Sequence, residues 1–162
     1  MDLENKKFFC GIDPSMSATG LIIIDNDLNI VEQKLICTKK QNIYQDIEYR
    51  ILNIIEKLQC ILIHKDKIKM VLIEGISYGS TGDGAAQLAA LNYAIRIWLL
   101  LQNIPYKDAP PSAVKKFVTG KGNCKKNLMF KEVYKKWNVD FSDDNLCDAY
   151  ALARLAKHNY MK

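Results

Sequence analysis

Long apolar runs are missing from this chain. The longest, such as Ile97-Trp98-Leu99-Leu100-Leu101, falls far short of a bilayer crossing, and the acidic start Met1-Asp2-Leu3-Glu4 has no hydrophobic stretch behind it. No membrane span and no leader are therefore expected, and the reading is of a soluble, cytoplasmic protein. Paired cysteines are missing too. Cys10, Cys37, Cys60, Cys124 and Cys147 are odd in number, widely separated and mostly set among apolar neighbours. That spacing suggests neither a zinc cluster nor a disulfide framework and predicts reduced core residues. There is no internal repeat and no low-complexity segment.

What is present is core material and uneven charge. With 162 residues, 49% of them hydrophobic, the chain 1–162 is read as one domain with a real core. The net charge is +5, yet residues 107–136 hold nine lysines against Asp108 and Glu132, so that this third carries +7 and the remainder −2. A segment of that kind is a candidate surface for a polyanion, although lysines on solvated helices serve solubility equally well.

The elements alternate. Residues 6–13 and 20–25 read as strands around the turn Pro14-Ser15-Met16-Ser17-Ala18-Thr19, and residues 29–37 as a third strand after Asp25-Asn26-Asp27, an antiparallel meander. Ile47, Ile51, Ile54, Ile55 and Leu58 fall at helical spacing within residues 44–63, and residues 69–74 return as a buried strand. A crossover through a helix makes that strand parallel to its partner. A glycine-rich loop, residues 75–84, leads into a helix at 85–102 that is apolar nearly all round, so its surface must be buried centrally or partly against a second subunit. A short strand at 105–109, two basic helices near 111–118 and 125–137, and a last helix from about Asp143 to His158 complete the chain.

Acids stand at the ends of these elements. Asp13 closes one apolar run, Glu74 closes another, and Asp148 opens an Ala/Leu-rich helical stretch. Carboxylates on strand ends and a helix start can be held rigidly enough to orient divalent cations, which points to a metal-dependent nuclease that needs neither imidazole nor thiol. Singly, each acid has a plainer role: Asp13-Pro14 ends a strand, Glu74 pairs with a lysine, and Asp144 or Asp148 caps a helix. It is their joint occurrence that favours catalysis.

Three antiparallel strands, a helix, a parallel strand and further helices describe an α/β, ribonuclease H-like fold with a mixed five-stranded sheet flanked by helices. Within it, Gly11-Ile12-Asp13-Pro14 with Thr19-Gly20, Ile73-Glu74, Val114-Lys115, Gly120-Lys121-Gly122, Lys125-Lys126, and Asp148-Ala149 with Ala151-Leu152-Ala153 follow in order along nearly the whole chain. Together they resemble the RuvC family of Holliday junction resolvases. The resemblance implies that Asp13, Glu74 and Asp148 bind two divalent cations, magnesium or manganese by their all-oxygen ligation. Two such cations roughly 4 Å apart neutralise a phosphodiester, activate water and stabilise the leaving oxygen.

The family's fourth ligand falls on Asn145, a departure; Asp144, four residues before Asp148 and on nearly the same helix face, is the favoured fourth acid. Ser15 stands where the family commonly has glycine. Lys115 and Lys126 match basic positions at the scissile phosphate, and Lys116, Lys121 and Lys125 extend the DNA-binding set. Tyr78 sits where the family places a loop that enters the junction centre, where it can stack on an unpaired base or stand as a plain exposed aromatic.

The expected function is symmetric nicking of four-way DNA by a homodimer whose two-fold axis matches the junction. The alternatives are a broader debranching nuclease, a ribonuclease H, a non-catalytic junction-binding module, and an actin-like ATPase. The last is disfavoured by the short chain and the lack of a second phosphate loop. A branch-migration motor as partner stays open. Abundant Ile, Lys and Asn suit an AT-rich bacterium or its phage.

Overall fold

The computed structural model describes residues 6–62, 67–76, 79 and 81–161. Its elements run β1 (Phe8–Asp13), β2 (Ala18–Ile24), β3 (Ile30–Cys37), α1 (Asp46–Ile61), β4 (Ile68–Glu74), α2 (Asp83–Leu101), β5 (Tyr106–Ala109), α3 (Pro111–Thr119), α4 (Lys126–Trp137) and α5 (Asp144–Tyr160). The sheet order is β3-β2-β1-β4-β5, with β1 antiparallel to β2, β2 antiparallel to β3, and β4 parallel to both β1 and β5. Every expected element is present, with ends shifted by one or two residues.

The meander turns where its chemistry demands. Asp25 Oδ1 accepts from the backbone N–H of Asp27 at 2.9 Å and of Asn29 at 3.0 Å, closing an Asx turn that holds Leu28 at φ 70°. Strands β1, β2 and β4 are apolar without alternation because helices cover both faces of the sheet. Phe9, Ile22, Ile24 and Leu72 pack under α3, α4 and α5, while Cys10, Ile12, Leu21, Ile23, Val71 and Ile73 pack under α1 and α2.

Two-residue periodicity carries the first face onward through Gly11 to Asp13, through Leu72 to Glu74, and back along β2 from Ile22 to Gly20. The two glycines on this face are seats for α5. A Cβ on Gly11 would lie 1.9 Å from the Ala149 carbonyl oxygen, and one on Gly20 would lie 2.3 Å from that of Asn145. With Ala149, Ala151, Ala153 and Ala156 on its own buried side, α5 lies directly on β1 and β2.

One expectation, the core placement of the cysteines, needs correction. Helix α2 is buried centrally along one stripe, Leu91, Asn92, Ile95 and Leu99, while Tyr93, Ile97, Leu100 and Leu101 face outward, the part left for a second subunit. By length and composition α2 alone among the described helices could cross a bilayer, yet its buried stripe belongs to the core beneath the sheet. The cysteines are all free, but only Cys10 and Cys147 are buried. Cys37 and Cys60 are exposed because one ends the edge strand β3 on its outer side and the other lies on the outer face of α1.

Candidate active site

Asp13 is the centre of the acid cluster. It ends β1 at the middle of the sheet, is 6% exposed, and is paired across the ladder with Gly20, whose missing side chain leaves room for the start of α5. Ile12 pairs with Ile73, which sets Asp13 beside Glu74 at the end of β4. From above, α5 brings Asp148, and one turn earlier Asp144. The helix is started by Asp143, whose Oδ1 accepts from the N–H of Asn145 at 2.9 Å and of Leu146 at 3.3 Å. The cap is thus neither Asp144 nor Asp148, and both are left free of the helix end.

The electrostatics follow from this crowding. Burial pushes the Asp13 carboxyl up to about 9, and the neighbouring charges of Glu74, Asp148 and Asp144 push the same way. Burial likewise raises Asp148 to about 6, with Glu74 adding to the rise and Lys126 and Lys115 opposing it. Glu74 is raised by burial, against the Asp13 hydrogen bond and the charges of Lys115 and Lys126. Asp144 is held below the usual carboxylate range by its hydrogen bond from Lys126, the two forming an ion pair that is largely exposed on the lysine side.

A cluster that retains a proton between Asp13 and Glu74 has an excess of negative charge that a cation would relieve. The donors are all oxygen, the set that suits magnesium or manganese. Among the described residues no three acids, histidines or cysteines are already drawn into a closed cage.

Of the other expected residues, Lys115 is half-buried and Lys126 exposed, and the charges of both bear on the acids. Lys116, Lys121 and Lys125 are exposed on α3 and the α3–α4 connection, further around the same basic flank. Ser15 holds the turn after Asp13: its N–H donates to Thr19 Oγ1 at 3.1 Å and its carbonyl accepts from that hydroxyl at 2.8 Å. Tyr78 lies outside the described residues. Asn145 starts α5 over Gly20, next to Asp13. Sequence reading passed over Asn92, whose only signal was a single amide within an apolar helix stripe.

A mixed sheet of this order with a buried acid at the end of β1 and half-buried acids at the end of β4 and on the covering helix defines a nuclease of the ribonuclease H-like class. The family profile described as crossover junction endodeoxyribonuclease RuvC matches residues 9–155. A relative of that description from Brachyspira hyodysenteriae is 31% identical over 147 residues, spanning 88% of this chain and 89% of its own. One from Helicobacter pylori is 29% identical over 146 residues, spanning 88% and 91%. In structure, Thermus thermophilus RuvC superposes with a TM-score of 0.74 at 18% identity over 94% of this chain and 93% of that one. The same protein solved in complex with a Holliday junction substrate gives 0.76 at 18% identity over 96% and 94%. The chain belongs to the RuvC family of crossover junction endodeoxyribonucleases.

Proposed function

We propose that this chain is a Holliday junction resolvase, acting as one nuclease domain that nicks four-way DNA on opposed strands by metal-dependent phosphodiester hydrolysis. The observation that carries the reading is the convergence of Asp13, Glu74 and Asp148 from β1, β4 and α5 around one buried carboxylate. These three hold the metal, with Asp144 as the fourth acid: it shares a helix face with Asp148, and its charge already acts on both Asp13 and Asp148. Held by these residues, two magnesium ions, replaceable by manganese, would supply the positive charge that phosphodiester hydrolysis needs at the scissile phosphate, the attacking water and the leaving oxygen.

The chain's own residues do the rest. Lys115 and Lys126 flank the acids and meet the DNA backbone there, while Lys116, Lys121 and Lys125 lengthen the track along which an arm of the junction lies. Tyr78 stacks at the junction centre in this reading, and its alanine variant should lose cleavage more than duplex binding.

The two-fold symmetry needed to cut a four-way junction comes from a homodimer built on the outward stripe of α2. Tyr93, Ile97, Leu100 and Leu101 are more than half exposed and recur at spacings of three and four residues. Ile97→Glu should convert the dimer to a monomer by light scattering, and the paired nicks in a junction should give way to slow single nicks.

Cleavage of labelled four-way, three-way and linear DNA and of an RNA–DNA hybrid, in magnesium and in manganese, tests the proposal. Paired symmetric nicks confined to the four-way form are expected. Equal cutting of all branched forms would assign a debranching nuclease, preference for the hybrid a ribonuclease H, and binding without cutting a structural module.

A further inference from the structure

The hydrogen-bond parity of β4 leaves one of its peptides short of a partner. Val71 and Gly75 donate their N–H groups toward β5, to Pro105 and Ala109 at 2.8 Å each, so the odd-numbered residues of this strand pair with β5 and the even-numbered ones with β1. Ile12 lies against Ile73. One further step sets Glu74 against Asp13, and the donor that a parallel ladder aims at the Glu74 carbonyl is then the backbone nitrogen of residue 14. That residue is Pro14, which has no N–H to give.

The gap is filled from the helix beneath. Asn92 Nδ2 donates to the Glu74 carbonyl oxygen at 2.7 Å. Asn92 is 2% exposed, in the middle of the buried stripe of α2 between Leu91 and Ile95, and its Oδ1 has no partner among the described residues. A half-satisfied amide in an apolar layer lowers stability, so packing does not explain it.

We infer that Asn92 is a positioning residue for the catalytic centre, supplying the hydrogen bond that Pro14 cannot make and fixing the last peptide of β4, from which the Glu74 carboxylate leaves the sheet. The inference rests on the proposed reading of Glu74 as a metal ligand. Its chemical content is that of a partner to a ligand rather than a ligand: it touches neither substrate nor metal, and it acts by holding Glu74 where the cation needs it.

Asn92→Leu and Asn92→Ala in the full chain test it, the leucine being chosen because it suits both the helix and its apolar neighbours. Manganese binding by titration calorimetry should weaken about tenfold, with turnover on a four-way junction falling by a similar factor. Junction affinity without divalent cations should stay within about twofold, since the residue is remote from the basic flank. A lowered melting temperature with manganese affinity unchanged in both variants would make Asn92 a structural amide and overturn the inference. If the wild-type chain nicks no junction, the functional proposal fails, and the manganese arm still decides the role of Asn92.

Discussion

Asp13→Asn should abolish junction nicking and at the same time make the metal-free protein more stable at alkaline pH. The first effect follows from the proposed role of Asp13 as metal ligand: the charges of Glu74 and Asp148 both act on it, and an amide there would remove the charge proposed to draw in the cation. A loss of roughly 4 kcal/mol of transition-state stabilisation corresponds to about a thousandfold in rate.

The second effect follows from linkage. Asp13 and Asp148 bind protons more tightly folded, at about 9 and about 6, than the 3.8 of an ordinary aspartate. Between 3.8 and about 9 the folded state thus holds more protons than the unfolded one, so stability falls as pH rises through that window. In the absence of divalent cations, wild type should melt at a lower temperature at pH 8.5 than at pH 5.5, and magnesium should restore most of the difference. Asp13→Asn should remove most of the slope and the greater part of the magnesium response. Melting scans with and without a chelator check this, and a flat wild-type profile would count against the charge crowding at the site.

Gly11→Ala should have the largest effect on the fold. Its new methyl would meet the Ala149 carbonyl oxygen at 1.9 Å and the Ala153 nitrogen at 2.5 Å, both backbone atoms of α5 that cannot swing aside as a side chain can. The helix must lift, breaking its packing on Phe9 and Leu72 and carrying Asp148 away from Asp13. We expect a cost of on the order of 4 kcal/mol or more, and so a melting temperature lower by about 10 °C or more. Gly84→Ala is the control: nothing lies within 4 Å of its added methyl, and inside α2 it should be neutral or slightly stabilising. Equal losses from the two substitutions would show that clash with α5 is not the cause.

The contrast between those glycines bears on what could be read from sequence. The strands were legible because three of them are apolar runs that end on polar residues, and the final helix because its Ala/Leu pattern is a local signal, although the cap is Asp143 and not Asp144 or Asp148. The placement of Asp13 and Glu74 on one face also follows from strand parity once the order of elements is known, whereas Asp148 reaches them only through the packing of α5 on β1.

The partners of Asp144 were not legible. Helical spacing put it on the face of Asp148, but its ion pair with Lys126 depends on how α4 packs against α5, a contact between residues 18 apart that no local pattern encodes. The same holds for α2, where composition is apolar all round and only the tertiary structure separates the buried stripe from the outward one. Asn92 was hidden for a related reason, since its purpose exists only relative to a proline nearly eighty positions earlier.

The order in which the site is assembled along the chain has a consequence for timing. Asp13 and Glu74 belong to strands made in the first half of synthesis, but Asp148 arrives only on the last helix, which is also the lid over Gly11 and Gly20. A chain without α5 lacks both the carboxylate proposed as the third metal ligand and the layer that covers one face of the sheet. Core and proposed centre are thus completed by one and the same element, so that closing the fold over Gly11 and Gly20 is also what brings Asp148 to Asp13.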